Sequence, residues 1–165
     1  MKTIVAVDEE WGIGKKNGLL FNLKEDMRFF RDNTFNKVVV MGSNTLLSFP
    51  GSKPLKNRVN IVLSDVLPEG DYILARTLPE LLEILKGYPS DDVFVIGGAM
   101  MYRTMLPYCS EALITKVAAV GGAEVFFPNL DEKPEWNLVS EGTEIEDNGY
   151  KIKFTTYHND EVKPL

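Results

Sequence analysis

A single aspartate in an apolar setting, two adjacent glycines behind a strand, and an arginine ahead of another strand are the residues here that could do chemistry. Asp26 falls in the first turn of a helical stretch, beside Glu25 and among Leu23, Met27, Phe29 and Phe30. An acid at a helix start often only complements the dipole, worth roughly 0.3–1 kcal/mol. A carboxyl ringed by apolar side chains can instead hold or protonate a ligand. Burial raises its pKa and the helix N-terminus lowers it, so the sequence leaves the sign open. Ile96-Gly97-Gly98-Ala99 joins a buried strand to a helix. It is either a tight turn that wants small residues or a set of exposed amides suited to a pyrophosphate. Arg58 precedes a strand and could meet an anionic ligand with its two-pronged guanidinium, or simply be solvated. Gly12-Ile-Gly14 also follows a strand, but its third glycine is misplaced for a dinucleotide fingerprint and no helix follows directly.

What is scarce narrows the chemistry further. The 165 residues hold one cysteine, Cys109, and one histidine, His158. That excludes an intrachain disulfide, a Cys-x-x-Cys pair or a thiolate zinc site, and no metal is expected. Neither Cys109 nor His158 is assigned a role. Acid–base chemistry would have to come from carboxylates, lysines, tyrosines or a cofactor. A net charge of -6 without a basic run disfavours nucleic acid as a partner. No apolar run suits a membrane span or a signal peptide, so the expectation is a cytoplasmic protein. Length and the lack of linkers or repeats predict one domain over residues 1–165.

These residues need a scaffold. Thr3-Ile-Val-Ala-Val7, Val38-Val-Val-Met41, 59–63, 72–75 and 93–96 read as buried strands, and 26–34, 44–49, 78–85 and 99–106 as helices. Leu23, Met27 and Phe30 are spaced to share one helix face. Thr77-Leu-Pro-Glu80 matches a capping box. Residues 8–23, long and rich in glycine, read as a loop of the kind that often serves as a lid. Stretches near 112–119, 136–145 and 151–158 remain, and the last two alternate as antiparallel edge strands do. The expected fold is α/β: a mostly parallel central sheet with helices on both faces and an antiparallel C-terminal hairpin. Ligands of such sheets bind at the carboxyl ends of strands, where Asp8, Gly42, Ser64 and Gly97 fall.

The order of the motifs along the chain is more specific than any one of them. Ile4-Val-Ala-Val-Asp8, Trp11-Gly-Ile-Gly14, Asn17-Gly-Leu-Leu-Phe-Asn-Leu-Lys-Glu-Asp26-Met-Arg-Phe-Phe30 and Lys37-Val-Val-Val-Met-Gly42 come first. Asn57-Arg-Val-Asn-Ile-Val-Leu-Ser64, Val95-Ile-Gly-Gly98 with Tyr102, and Phe126-Phe-Pro128 follow. In this order the chain resembles dihydrofolate reductase over nearly its whole length. The resemblance implies hydride transfer from NADPH to the imine carbon of dihydrofolate, a place in one-carbon metabolism and membership of a class of antifolate targets. It also implies a monomer that works on small molecules. Asp26 matches the family's site carboxylate, Thr115 the threonine bonded to it, and Phe21 a position that orders water near the pterin. Ile4, Val5, Met27, Phe30, Phe49, Leu55 and Ile96 match the pterin and benzoyl pocket, and Arg58 the grip on the glutamate carboxylate. Cofactor contacts are implied at Ala6, Ile13, Gly14, Asn17, Gly18, Leu19, Gly42, Ser43, Asn44, Thr45, Leu63, Ser64, Arg76, Ile96, Gly97, Gly98, Ala99, Met100 and Tyr102. The Gly97–Gly98 bond is implied to be cis, and the 9–23 loop to be the family's lid.

The sequence also departs from the pattern. Leu20-Phe21 replaces Pro-Trp, Lys24 a frequent proline, Met100 an arginine seen in some members, and Glu124 a common aspartate. Ser43 stands where a basic residue usually meets the adenosine 2′-phosphate, and Asp65 adds a negative charge nearby. NADH is therefore admitted beside NADPH, with Arg76 as the compensating cation. The competing readings are a catalytically silent folate or nucleotide binder, and a related pterin or pyrimidine reductase.

Overall fold

The computed structural model describes residues 1–15 and 18–165; the cofactor contact expected at Asn17 lies outside them. Its elements, in chain order, are β1 (Lys2–Val7), β2 (Gly12–Lys15), β3 (Gly18–Leu19), α1 (Lys24–Thr34), β4 (Val38–Gly42), α2 (Ser43–Ser48), β5 (Val59–Leu63) and β6 (Ile73–Ala75). Then come α3 (Leu78–Leu85), β7 (Val93–Gly97), α4 (Ala99–Met105), β8 (Glu111–Val117), β9 (Val125–Phe126), β10 (Trp136–Glu141), β11 (Ile145–Asp147) and β12 (Tyr150–Asn159).

The main sheet runs β10-β12-β8-β1-β7-β4-β5-β6, with β11 also paired to β12. Pairs from β8 across to β6 are parallel, and those made by β12 are antiparallel. Parallel strands need both faces covered, which is why their sequences are unbroken β-branched runs. On β4, Val38 and Val40 enter the core cluster shared with Leu81 and Leu85 of α3 and Met101 and Met105 of α4. Val39 and Met41 point the other way, against Leu46 of α2. α1 covers the same side as α2, with Phe29 and Phe30 against Ile4, Phe94 and Leu113.

Four expectations change. The 8–23 stretch is not all loop: β2 pairs with β3 and with β9 in a separate three-stranded sheet. Strands of two to four residues leave no periodicity to read. The 136–145 stretch is two strands, β10 and β11, and β12 is no edge strand, since β8 flanks it on one side and β10 and β11 on the other. Its alternation instead reflects two chemically different faces. In the capping box, the Thr77 hydroxyl accepts from the Glu80 amide at 3.3 Å, but Glu80 turns to the Arg76 amide at 3.1 Å rather than to Thr77. Finally, Leu23 is 3% exposed while Met27 is 58% exposed. Leu23 is the extended N-cap of α1 (φ -120°, ψ 110°), so helical spacing does not carry over to it.

Candidate active site

β1 sits between β7 and β8, so the carboxyl ends of these three strands converge beside the start of α1. Thr115 pairs with Ala6 across the β8–β1 ladder. Its hydroxyl donates to Asp26 Oδ1 at 2.7 Å, bringing two residues 89 positions apart into one unit. Burial pushes the Asp26 carboxyl above its ordinary 3.8; the Thr115 bond opposes this, and the nearby Asp147 carboxylate reinforces it. Burial thus outweighs the bond from Thr115, a balance that the sequence left open. Tyr102, 5% exposed, donates to the Ile4 carbonyl at 2.9 Å. Its own pKa is driven up by burial and, to a lesser degree, by Asp26.

The walls of this cleft are apolar. Ile4, Phe94 and Leu113 pack with Phe29, Phe30 and Ile96, and Ile96 also touches the neighbouring cluster that includes Phe49 and Leu55. Five of the expected pocket residues thus lie in two adjoining apolar clusters that share Ile96. Val5 does not join them. It alternates to the opposite face of β1 and packs into the main core, so only its backbone is on offer to the cleft. Met27 projects into solvent beside Asp26. Phe21, expected near the pterin, lies edge-on to Tyr150 at 4.7 Å, in the cluster of Leu23, Val117 and Ile152.

Arg58 stands just ahead of β5. Its Nε donates to Thr34 Oγ1 at 3.2 Å, Nη1 to the Lys56 carbonyl at 2.7 Å and Nη2 to the Arg31 carbonyl at 3.5 Å. Partial burial and the charge of Arg31 pull its pKa down. An arginine keeps its proton regardless.

The cofactor positions gather at strand ends on the other side of β1. Gly42 caps α2 and Gly98 caps α4, so both helices start directly from the sheet. The Gly97–Gly98 bond is cis, and Gly97 has φ of 131°. A Cβ on Gly97 would lie 3.1 Å from Thr45 Oγ1, so the missing side chain leaves a small cradle lined by backbone and a hydroxyl. Donors of that kind fit a phosphate group. Ser43 and Ala99 are half-buried, and Asn44 is exposed. Ser64 Oγ accepts from the amides of Val66 and Leu67, and Arg76 Nη1 donates to the carbonyls of Ser64 and Leu67. Leu63 packs into the core, while Leu19 and Met100 are well exposed. Ile13, Gly14, Gly18 and Leu19 belong to the β2–β3 hairpin.

The organising roles of two residues were not read from the sequence, although it places Asp8 at a strand's carboxyl end. Asp8, 3% exposed, accepts from the Glu10 and Gly12 amides at 2.9 and 2.7 Å and from the Gly121 amide at 2.9 Å. It ties the hairpin to the turn after β8. The signal was its place directly after a buried strand and before glycine. Asp147, at the β11–β12 turn, accepts from the first amides of α1. Nothing local betrays this, because Asp-Asn-Gly is read as a hairpin turn.

A parallel α/β sheet with a glycine cradle at one strand end, and a half-buried carboxyl bonded to Thr115 among apolar side chains beside it, describes an α/β protein with a small-molecule site at the carboxyl ends of its strands. Comparison with known proteins makes this specific. The sequence model of the dihydrofolate reductase family matches residues 1–159. The dihydrofolate reductase of Bacillus subtilis (strain 168) is 34% identical over 159 residues, covering 93% of this chain and 91% of that one. A viral dihydrofolate reductase of Saimiriine herpesvirus 2 (strain 488) is 35% identical over 180 residues, covering 95% and 84%. A solved structure of dihydrofolate reductase from Enterococcus faecalis, complexed with NADP(H) and RAB-propyl, superposes with a TM-score of 0.83 at 29% identity, covering 96% of this chain and 95% of that one. The chain belongs to the dihydrofolate reductase family, the NADPH-dependent oxidoreductases that reduce 7,8-dihydrofolate to tetrahydrofolate.

Proposed function

We propose that Asp26 is the residue on which this reduction turns, holding the pterin and keeping its imine nitrogen basic enough to take a proton. The observation that carries the reading is the 2.7 Å bond from Thr115 to a carboxyl held above its ordinary pKa inside an apolar cleft. Thr115 fixes one carboxyl oxygen, which leaves the other to face the amino and ring N–H groups of a pterin. Two donors against one carboxyl set the ring's rotation in its plane. Ile4, Phe30, Phe49, Leu55 and Ile96 cover the ring and the benzoyl group and exclude water, which strengthens every polar contact inside. Arg58 takes the glutamate carboxylate at the far end. Among the described residues no second acid is hydrogen-bonded to the Asp26 carboxyl or to the Thr115 hydroxyl, so the proton reaches the imine nitrogen through water.

NADPH, when bound, supplies the hydride. Gly97, Gly98 and Thr45 would hold its pyrophosphate, with Ala6, Ile13, Gly14, Gly42 and Tyr102 along its length and Ser43, Ser64 and Arg76 at the adenosine end. The β2–β3 hairpin, tied down through Asp8, serves as the lid over the nicotinamide side. The reading includes a monomer in the cytoplasm, and gel filtration at assay concentration checks the first of these. Among the described residues no helix is long and apolar enough to cross a membrane.

Steady-state reduction of dihydrofolate with NADPH and NADH in parallel tests the function; binding of both ligands without turnover would overturn it. A sharper prediction concerns cofactor choice. Arg76 Nη1 is engaged with the 64–67 turn, and Ser43 offers no charge. Ser43→Arg is expected to tighten NADPH over NADH by about fivefold or more, as a charge-assisted phosphate bond worth roughly 1 kcal/mol would do. Dissociation constants by fluorescence titration decide it: equal tightening of both cofactors removes the 2′-phosphate from this corner.

A further inference from the structure

The first turn of α1 carries four amides with no partner in the helix itself, and an Asp26 carboxyl sitting there should feel their combined positive end. In this protein that end is already occupied. Asp147, 4% exposed, accepts from the Lys24 amide at 3.0 Å through Oδ1, and from the Glu25 and Asp26 amides at 2.8 and 3.3 Å through Oδ2. It comes from β11, more than 120 positions along the chain, and Leu23 at the N-cap offers no cap of its own. The contact is anchored on both sides. β11 is locked to β12 in register from Ile145↔Ile152 to Asp147↔Tyr150, and the following Asn148 donates to the Asn22 carbonyl at 2.8 Å.

We propose that Asp147 is a positioning residue for Asp26, capping α1 from the β11–β12 turn so that the helix's positive end is spent on Asp147 and not on the site carboxyl. The proposal rests on the role given to Asp26 above. An ordinary serine or aspartate at position 23 would cap the helix as well, but it would satisfy one amide. Asp147 satisfies three and places a full negative charge beside Asp26, which favours the protonated carboxyl. The charged and titratable groups around Asp26 are few. They are Asp147 on β11, Tyr102 on α4, and Lys24, Glu25 and Arg28 on α1 itself, the last two paired at 3.3 Å. β8 contributes the neutral Thr115. Tyr102 is tied to the Ile4 carbonyl and Glu25 to Arg28, and Asp147 is the charged group that raises Asp26.

The test is the pH profile of Asp147→Asn. The amide keeps an acceptor for the cap but loses the negative charge that favours a proton on Asp26 and on the imine nitrogen it faces, so the midpoint at which turnover falls with rising pH is expected to move down. On the falling limb each unit of movement is a tenfold loss, so a loss of about fivefold is expected near pH 8, recovered at lower pH, with KM for dihydrofolate unchanged. Titration of the Asp26 carboxyl by carbon NMR in the ligand-free protein reads the same movement without activity. Asp147→Ser, which caps without charge, serves if the asparagine variant folds poorly. A fall in rate equal at every pH, or an unmoved Asp26 titration, would overturn the proposal. Asp26→Asn separates the two levels: if it stays active, the role of Asp26 itself fails; if it is inactive while Asp147→Asn keeps the normal profile, only the proposal for Asp147 fails.

Discussion

Asp26→Asn is expected to lower turnover of dihydrofolate by about 10²-fold or more near neutral pH, in a protein that folds normally and still binds NADPH. The size follows from what is lost. A positioned carboxyl that promotes proton transfer typically contributes 10²–10⁴-fold, and an amide can still accept from Thr115 but cannot keep the pterin nitrogen basic. The remaining rate should lose the normal pH dependence, because the group that titrates is gone. The same variant makes a prediction about stability. The folded pKa of Asp26 lies above its unfolded value of 3.8, so the folded protein binds more protons between the two, and stability falls as pH rises through that window. Asp26→Asn escapes this and is expected to melt above the parent at neutral pH. The gap should be full above the folded pKa and vanish near pH 3.8 and below, where both carboxyls are protonated. A near-normal rate would remove Asp26 from the chemistry, and a lower melting point at neutral pH would show that its ionised form is not strained.

Much of this site was legible because the chain states it through hard constraints. Val38-Val-Val-Met41 is short, β-branched and bounded by Gly42, which reads as a strand buried on both faces. Gly97-Gly98 behind such a strand leaves a gap that Thr45 closes to 3.1 Å from where a side chain would begin. The pairing of Asp26 with Thr115 came from motif order and not from local pattern, since 89 positions separate them. What the sequence withheld is long-range in the same way but has no motif to announce it. Asp147 reads as one residue of a turn until the fold brings it under α1. The directions of the Val5 and Met27 side chains were not legible for a simpler reason. The resemblance assigns a position, whereas the side chain's direction depends on the phase of β1 and on where α1 begins. The β2 and β3 strands are too short for alternation to show, and β2 is held by β9, over a hundred residues away.

Arg58→Leu is expected to weaken dihydrofolate by about 100-fold while leaving a pterin without the glutamate tail bound as before. The guanidinium is already oriented before any ligand arrives, held by Thr34, Lys56 and Arg31 and lying over Phe35 at 6.0 Å. Its five donors allow it to be held at three points and still present a fork. Little side-chain entropy is therefore lost on binding, and more of the ion pair appears as affinity. Truncating one partner of a desolvated charge pair costs roughly 2–5 kcal/mol, the lower end allowing for solvent at this half-buried site. Arg31 lies alongside, so some attraction survives the substitution and the loss stops short of complete. Arg58→Lys should fall between, keeping the charge but not the fork. Because Arg58 also joins the end of α1 to the start of β5, the leucine variant will lose some stability. NADPH affinity and a thermal melt separate that loss from the binding effect. Equal weakening of the tailed and tailless pterins would mean that Arg58 shapes the cleft and does not grip the carboxylate; selective loss of the tailed ligand fixes the substrate's orientation between Asp26 at one end and Arg58 at the other.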